Sequence, residues 1–211
     1  MVNVSRPTRE TYYRVLADCL SEETLVVTAL GNASYLWAKI RDAPENFYLE
    51  DAMGLALPLA LGLAVAQPER KVVVVEGDGG LLMHMGALVT LGAIAPENLT
   101  VLLIQNGVHA ASGGQPLTNA SLDFANLGRV LGLKHAENID SAESFRTTIV
   151  AALERRGPSL LALATEPDLT AAMPPFSLDP VGTKRRFTEA IGAPQYLPTF
   201  FGGGKLVAPK F

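Results

Sequence analysis

The sequence predicts an α/β fold, an open parallel sheet with helices on both faces, followed by a C-terminal extension. Three observations carry this. Segments with apolar residues at helical spacing alternate with short strand-like runs along most of the chain. The strand-like runs are apolar throughout, as in the four consecutive valines Val72–Val75, which marks strands buried on both faces. Glycines gather just beyond those runs, at Gly31, Gly77, Gly79, Gly80 and Gly107, where the carboxyl ends of parallel strands build ligand sites.

The elements follow in order. Arg9–Leu20 places Tyr12, Tyr13, Leu16 and Leu20 at helical spacing, and Thr24–Leu30 reads as the first strand. Gly31–Ser34 interrupts, and a helix is expected over Ser34–Arg41. Beyond the Pro44 turn, Met53–Ala66 reads as a helix rich in Ala, Leu and Gly, and Lys71–Glu76 as the valine strand. An apolar helix over Leu81–Ala95 and a strand over Leu99–Gln105 come next. Asn106–Asn119 is polar and glycine-rich and is expected to be a long loop. A helix over Asp123–Leu131, a short strand near Lys134–Ala136, a helix over Ser141–Arg155 and a strand over Ser159–Thr165 complete the alternation. Two segments result: a ligand-binding domain over 1–165 and an extension over 166–211, with a helix near Val181–Ile191.

Composition narrows the class. Of 211 residues, 48% are hydrophobic and 18% charged, which supplies a large core and excludes disorder. Of the two longest stretches without a charge, Ala52–Ala66 falls short of the ~20 residues that cross a bilayer and carries Pro58. The other, running on to Pro96, is broken by Asp78 and contains His84; both read as helices buried inside a protein. No apolar signal region opens the chain, and Cys19 is its single cysteine, so neither a disulfide framework nor an iron–sulfur site is expected. A cytoplasmic protein is expected. The net charge of −4, with basic residues scattered, argues against nucleic acid as a partner.

The chemistry sits where the valine strand ends in Gly77-Asp78-Gly79-Gly80. Glycines there let backbone N–H groups approach an anion, with a helix behind them. A carboxylate inside a phosphate-binding turn repels the phosphate unless a cation lies between, so Asp78 points to a divalent metal such as Mg²⁺. The next strand ends at Asn106, a second oxygen ligand at the neighbouring strand end. Twenty-six residues, one helix and one strand, separate Gly79 from Asn106.

That arrangement resembles the Gly-Asp-Gly…Asn motif of thiamine diphosphate-dependent enzymes. The likeness extends to YLEDAMGLALPLALG (Tyr48–Gly62), KVVVVEGDGGLLMHMGALVTLG (Lys71–Gly92) and QNGVHAASGGQP (Gln105–Pro116). These are similar to the pyrophosphate-binding half of the phosphonopyruvate and sulfopyruvate decarboxylase group, as are Thr8-Arg9 and the turn Gly31-Asn32-Ala33-Ser34. The resemblance implies Asp78, Asn106 and the Val108 carbonyl as Mg²⁺ ligands, with Gly77, Gly79 and Gly80 around the diphosphate. Backbone of Gly31, Asn32 and Ser34 would close over it. Met53 would support the thiazolium ring, the Asp51 carbonyl would accept a hydrogen bond from the aminopyrimidine, and His109, near Ser112, is the candidate catalytic group. The chain departs from the group at Asp51-Ala52, where Gly-Ser is usual. It departs again at Ala33-Ser34-Tyr35-Leu36, where Thr-Ser-Arg-Glu is common.

The activity so implied is decarboxylation of a small 2-oxo acid. The glutamate that activates the cofactor would come from a separate pyrimidine-binding, alpha-type subunit. The apolar helices predict a homodimer or hetero-oligomer. Acetolactate synthase-like or other carboligase chemistry on the same half-fold, and a non-catalytic cofactor-binding module, remain the alternatives.

Overall fold

A computed structural model describes residues 6–167 and 179–193, so most of the predicted extension lies outside the described residues. Eight helices and eight strands, with one 3₁₀ turn, make up the described chain. The main sheet has six strands: β1 (Leu25–Thr28), β2 (Asn46–Tyr48), β3 (Val72–Gly77), β4 (Leu99–Gln105), β7 (His135–Ile139) and β8 (Ser159–Ala164). Their order is β2-β1-β3-β4-β8-β7, and every pairing is parallel. The chain runs outward from β1 to β2 and then returns to β3 on the other side of β1. That reversal is a topological switch point, and the carboxyl ends of β1 and β3 flank it.

Period-2 alternation divides the valines of β3 between two cores. Val72 and Val74 face α3 (Ala56–Ala66), α5 (Gly86–Ile94) and α6 (Phe124–Val130), and Phe187 of α8 (Pro180–Ala190) joins that layer. Val73 and Val75 face α1 (Arg9–Cys19), α2 (Asn32–Arg41) and α7 (Ala142–Glu154), with Tyr12, Tyr13, Trp37 and Phe145 fully buried among them. Both faces of the sheet are therefore covered, which is why its strands carry no polar alternation.

The sequence expectations hold for the architecture and shift in detail. β2 replaces an expected turn after Pro44: Asn46 is buried because its amide donates to Arg41 O and Tyr48 Oη, a pairing that hydrophobic periodicity does not register. The helix expected over Met53–Ala66 starts at Ala56, and Pro58 falls in its first turn, where the missing N–H is harmless. The single helix expected over Leu81–Ala95 is two: α4 (Asp78–Met83), which begins earlier, and α5. Between them His84 N donates to Leu81 O and Leu88 N to Met85 O, tight turns that redirect the chain against the loop holding Gly54. His84 is exposed at this break. The polar loop after β4 contains a small hairpin, β5 (Val108–His109) with β6 (Gln115–Pro116), closed by a 3₁₀ turn over Ala110–Ser112. The strand near Lys134–Ala136 extends to Ile139.

The helix of the C-terminal region, α8, docks on the main core. Arg186 reaches both carboxylate oxygens of Asp42, at 2.7 and 2.9 Å, and Phe187 packs edge-on against Phe47. Arg70 donates to Ala190 O at the end of the helix.

Close packing makes two helical glycines opposite in effect. A Cβ at Gly92 of α5 would collide with the Leu131 carbonyl oxygen, whereas one at Gly62 of α3 has no neighbour within 4 Å. Gly92→Ala should lower stability by about 1–3 kcal/mol through overpacking, and Gly62→Ala should raise it by roughly 0.5–1 kcal/mol through helix propensity. Urea unfolding midpoints check both; shifts of the same sign would contradict the packing.

Candidate functional site

A cavity opens at the switch point, over the carboxyl ends of β1, β3 and β4. Valine and leucine fill the strand interiors, and the chain changes character where the strands stop: Glu76-Gly77-Asp78 after β3, Asn106-Gly107-Val108 after β4. Because α1, α2 and α3 each run back along parallel strands, their amino-terminal ends lie at this same edge.

Asp78 is almost fully buried. Its Oδ1 accepts the Gly79 N–H and its Oδ2 the Gly107 N–H, each at 2.8 Å, so one carboxylate ties the β3 turn to the β4 turn. Desolvation pushes its carboxyl above the ordinary carboxylate value, opposed by the N–H groups of Gly107 and Gly79. It makes no ion pair among the described residues. Asn106 is fixed similarly: its Oδ1 accepts the Val108 N–H at 3.0 Å. These are hard oxygen donors, held by backbone, on two adjacent turns. Among the described residues no group of three His, Cys, Asp or Glu side chains could form a cage. An open site completed by anionic oxygens of a ligand is what this donor set can support.

Other candidates fall as follows. Asn32, Met53, Gly77, Gly79, Gly80, Val108 and His109 line the cavity together with Asp78 and Asn106. The Gly79 amide is engaged by Asp78, and a Cβ at Gly79 would stand 2.6 Å from His109 Nδ1, so the half-buried imidazole lies directly over that glycine. Gly54 follows Met53 at φ +76°, and a Cβ there would come within 2.5 Å of Gly80 O. Only glycine lets the Met53 loop approach the β3 turn this closely. Gly31 at φ +69° is the residue before α2, which starts at Asn32 rather than at Ser34. Gly31, Ser34 and Asp51 do not line the cavity. Ser34 turns its hydroxyl inward to Thr28 Oγ1, Ala29 O and Leu49 O, joining β1, α2 and the segment after β2. Asp51 is exposed.

Among the polar lining residues, three were not named as site candidates from the sequence: Arg9 and Tyr13, one turn apart on α1, and Glu76. Helical spacing marked Tyr13 as core, and Glu76 looked like the charged end of a strand. A signal for Glu76 did exist, since a strand buried on both faces has no exposed side to offer its last residue. Glu76 is 2% exposed; Oε1 accepts the Gly77 N–H at 3.0 Å, and the Ala56 and Leu57 N–H groups that begin α3 face the carboxylate. Oε2 has no partner. Burial pushes this carboxyl up to about 7, against the pull of those N–H groups.

Comparison with known proteins agrees with this geometry. Residues 30–163 match the family "Thiamine pyrophosphate enzyme, C-terminal TPP binding domain". The phosphonopyruvate decarboxylase of Streptomyces viridochromogenes is 34% identical over 193 residues, covering 91% of this chain and 48% of that protein. The sulfopyruvate decarboxylase subunit beta of Methanothermobacter thermautotrophicus is 33% identical over 173 residues, 81% of this chain and 88% of that subunit. The chain thus spans about half the length of the phosphonopyruvate decarboxylases it matches. An X-ray structure from Mycobacterium smegmatis, assigned to the thiamin diphosphate-dependent enzymes, shares the fold: TM-score 0.66 at 22% identity, over 76% of this chain and 32% of that one. Among the described residues no helix is long and apolar enough to cross a membrane.

The raised carboxyl of Glu76 has a measurable consequence. Its folded-state value of about 7 exceeds the ordinary 4.5, so the folded chain holds the proton more tightly than the unfolded chain does. Stability should therefore be highest below pH 4.5 as far as this group is concerned and fall as pH rises toward 7, by up to about 3 kcal/mol. In Glu76→Gln, which cannot ionise, the fall between pH 5 and 7.5 should be clearly shallower, with the contribution of Asp78 remaining. Urea unfolding in the presence of chelator measures it, and an unchanged slope would remove Glu76 as its source.

Proposed function

The chain belongs to the thiamine pyrophosphate enzyme family, and from that premise we propose that it is the cofactor-holding subunit of a two-subunit 2-oxo acid decarboxylase. The observation that carries this reading is the match to sulfopyruvate decarboxylase beta subunits, which spans 88 to 97% of those subunits. A cavity at the switch point with Asp78 and Asn106 on adjacent turns supports it independently.

The residues present fit both thiamine diphosphate and Mg²⁺. Asp78 is a buried carboxylate without an ion-pair partner among the described residues, and a hard cation relieves that charge. Asp78, the Asn106 amide oxygen and the Val108 carbonyl would hold Mg²⁺, with diphosphate oxygens and water completing its shell. When bound, thiamine diphosphate supplies the electron sink that lets a 2-oxo acid lose CO₂. The chain's own residues bind and orient. The turns around Gly77, Gly79 and Gly80, with the α2 start at Asn32, would surround the diphosphate. Met53, carried by a loop that Gly54 seats against Gly80, would support the cofactor's ring system. Gly31, Ser34 and Asp51 stand outside the cavity lining, and Ser34 fixes the start of α2 beside it. His109, lying over Gly79 beside the cavity, is placed to hold or deliver a proton at its imidazole.

A small 2-oxo acid is the substrate class, and a pyrimidine-binding alpha-type subunit the partner. Exposed Leu55, Leu59 and Val65 of the α3 region, Met83 at the end of α4, and Val89 and Ile94 of α5 form the apolar side that assembly would cover.

Two outcomes are expected. Titration calorimetry should show thiamine diphosphate binding that needs Mg²⁺ and is abolished by Asp78→Ala; equal affinity with and without chelator would reject the metal assignment. The chain alone should release no appreciable CO₂ from a 2-oxo acid and should do so once a pyrimidine-binding subunit is supplied. Robust turnover by this chain unaided would refute the split-site reading.

A further inference from the structure

The cavity contains a second polar group that the metal and glycine turns leave unused. Arg9 is 8% exposed and Tyr13 1%, and both line the cavity from α1. Arg9 makes no hydrogen bond or ion pair with any described residue. Tyr13 Oη has no hydrogen-bond partner either. Four residues apart on one helix, the two side chains share a face.

Nothing in the local packing explains them as structural. Tyr12, the neighbour of Tyr13, does the anchoring: its hydroxyl donates to Ala164 O at 3.2 Å and Ile139 O at 3.5 Å, fixing α1 across the ends of β8 and β7. The Tyr13 ring is held edge-on to Trp37 at 5.9 Å, which orients the ring without engaging the hydroxyl. Glu76, the nearest candidate for an ion pair, gives its carboxylate to Gly77 and to the start of α3, and forms none with Arg9. A buried hydroxyl without a partner is costly, and a largely buried arginine without a counter-charge adds to that cost. Both residues line the one cavity.

Charge identifies the occupant. Arg9 is the one arginine or lysine among the described residues that line the cavity, which also include the carboxylates Glu76 and Asp78. A multiply charged diphosphate brought into that lining needs more positive charge than one divalent ion at Asp78 supplies. A guanidinium presents forked N–H donors that match phosphoryl oxygens, and a phenol adds one donor alongside.

Resting on the proposed cofactor, we propose that Arg9 and Tyr13 form an oxyanion receptor that takes phosphoryl oxygens of the diphosphate of thiamine diphosphate. The receptor binds; it takes no part in proton transfer.

Calorimetric titration of the full chain with inorganic pyrophosphate and with thiamine diphosphate, each with Mg²⁺, tests this in Arg9→Met, Arg9→Lys and Tyr13→Phe. Arg9→Met should weaken both ligands by about 10- to 100-fold and Tyr13→Phe by about 3- to 10-fold, with Arg9→Lys between wild type and Arg9→Met. Without ligand, Arg9→Met should melt at a higher temperature than wild type, because an unpaired buried charge has been removed. A merely structural arginine would lower both melting temperature and affinity, and that result overturns the proposal. Wild-type affinity for both ligands in Arg9→Met overturns it too. Where Arg9→Met fails to fold, unchanged affinity in Tyr13→Phe and Arg9→Lys does the same. Unchanged diphosphate binding with a raised KM for the 2-oxo acid in the reconstituted enzyme would move the pair to the substrate and reject the diphosphate assignment. If wild type binds pyrophosphate but not thiamine diphosphate, the cofactor reading fails and with it this assignment. If wild type binds thiamine diphosphate and Arg9 is indifferent, this assignment fails alone.

Discussion

The burial of β3 on both faces is the constraint from which the rest of the molecule follows. Val72 to Val75 are fully enclosed between two helical layers, so every polar group that the chain must carry is displaced to the strand's carboxyl end. Glu76, still inside the sheet, has no solvent-facing side to turn to. Its carboxylate is accepted only because the amino-terminal end of α3 and the Gly77 amide are there to bond it. That bond sets where α3 begins, and the start of α3 sets the Met53-Gly54 loop. The loop in turn presses on Gly80 and His84 and breaks the following helix in two. Strand burial, helix start, loop position and helix break form one chain of cause.

The same constraint explains what could be read from the sequence. All-apolar strands and glycines at their ends are one-dimensional signals, and they gave the parallel sheet, its switch-point site, Asp78 and Asn106. The pairing of the last two across adjacent turns was legible because a fixed helix-plus-strand spacing separates them. What was hidden depends on contacts between segments distant in the chain. β2 is held by the Asn46 amide reaching Arg41 and Tyr48, and no periodic pattern reports that bond. The split between α4 and α5 comes from Gly54, some thirty residues upstream by the chain numbering, which no local window contains. Ser34 sits in a turn that reads as a ligand loop, yet its hydroxyl serves β1 and the segment after β2. A small polar residue at a strand end is ambiguous between those two uses, because both need the same donor and acceptor.

Unsatisfied polar atoms resolve that ambiguity better than position does. Ser34 and Asn46 are buried with their hydrogen bonds complete within the chain, so they need no ligand and serve as joints. Tyr13 Oη and Glu76 Oε2 are buried with bonding capacity left over, Arg9 has no ion-pair partner among the described residues, and all three residues line one cavity. Apolar packing elsewhere offsets the cost of holding them so, and the two aromatic-rich and leucine-rich cores are what keep them from rearranging toward one another.

This division of labour also accounts for the arrangement of charge around the cavity. Asp78 and Glu76 lie two residues apart on opposite sides of the Gly77 turn, both with carboxyls raised by desolvation, and Arg9 approaches from the other helical layer. Were Arg9 to pair with either carboxylate, the cavity would close on itself as an internal salt bridge and lose its affinity for an anion. The bonds that prevent this are specific. Gly79 and Gly107 fix Asp78, Gly77 and the α3 amides fix Glu76, and Tyr12 fixes the helix that carries Arg9. Backbone donors thus hold the negative groups in place without neutralising them. A divalent cation and an anionic ligand arriving together then satisfy groups that a salt bridge would have satisfied too early.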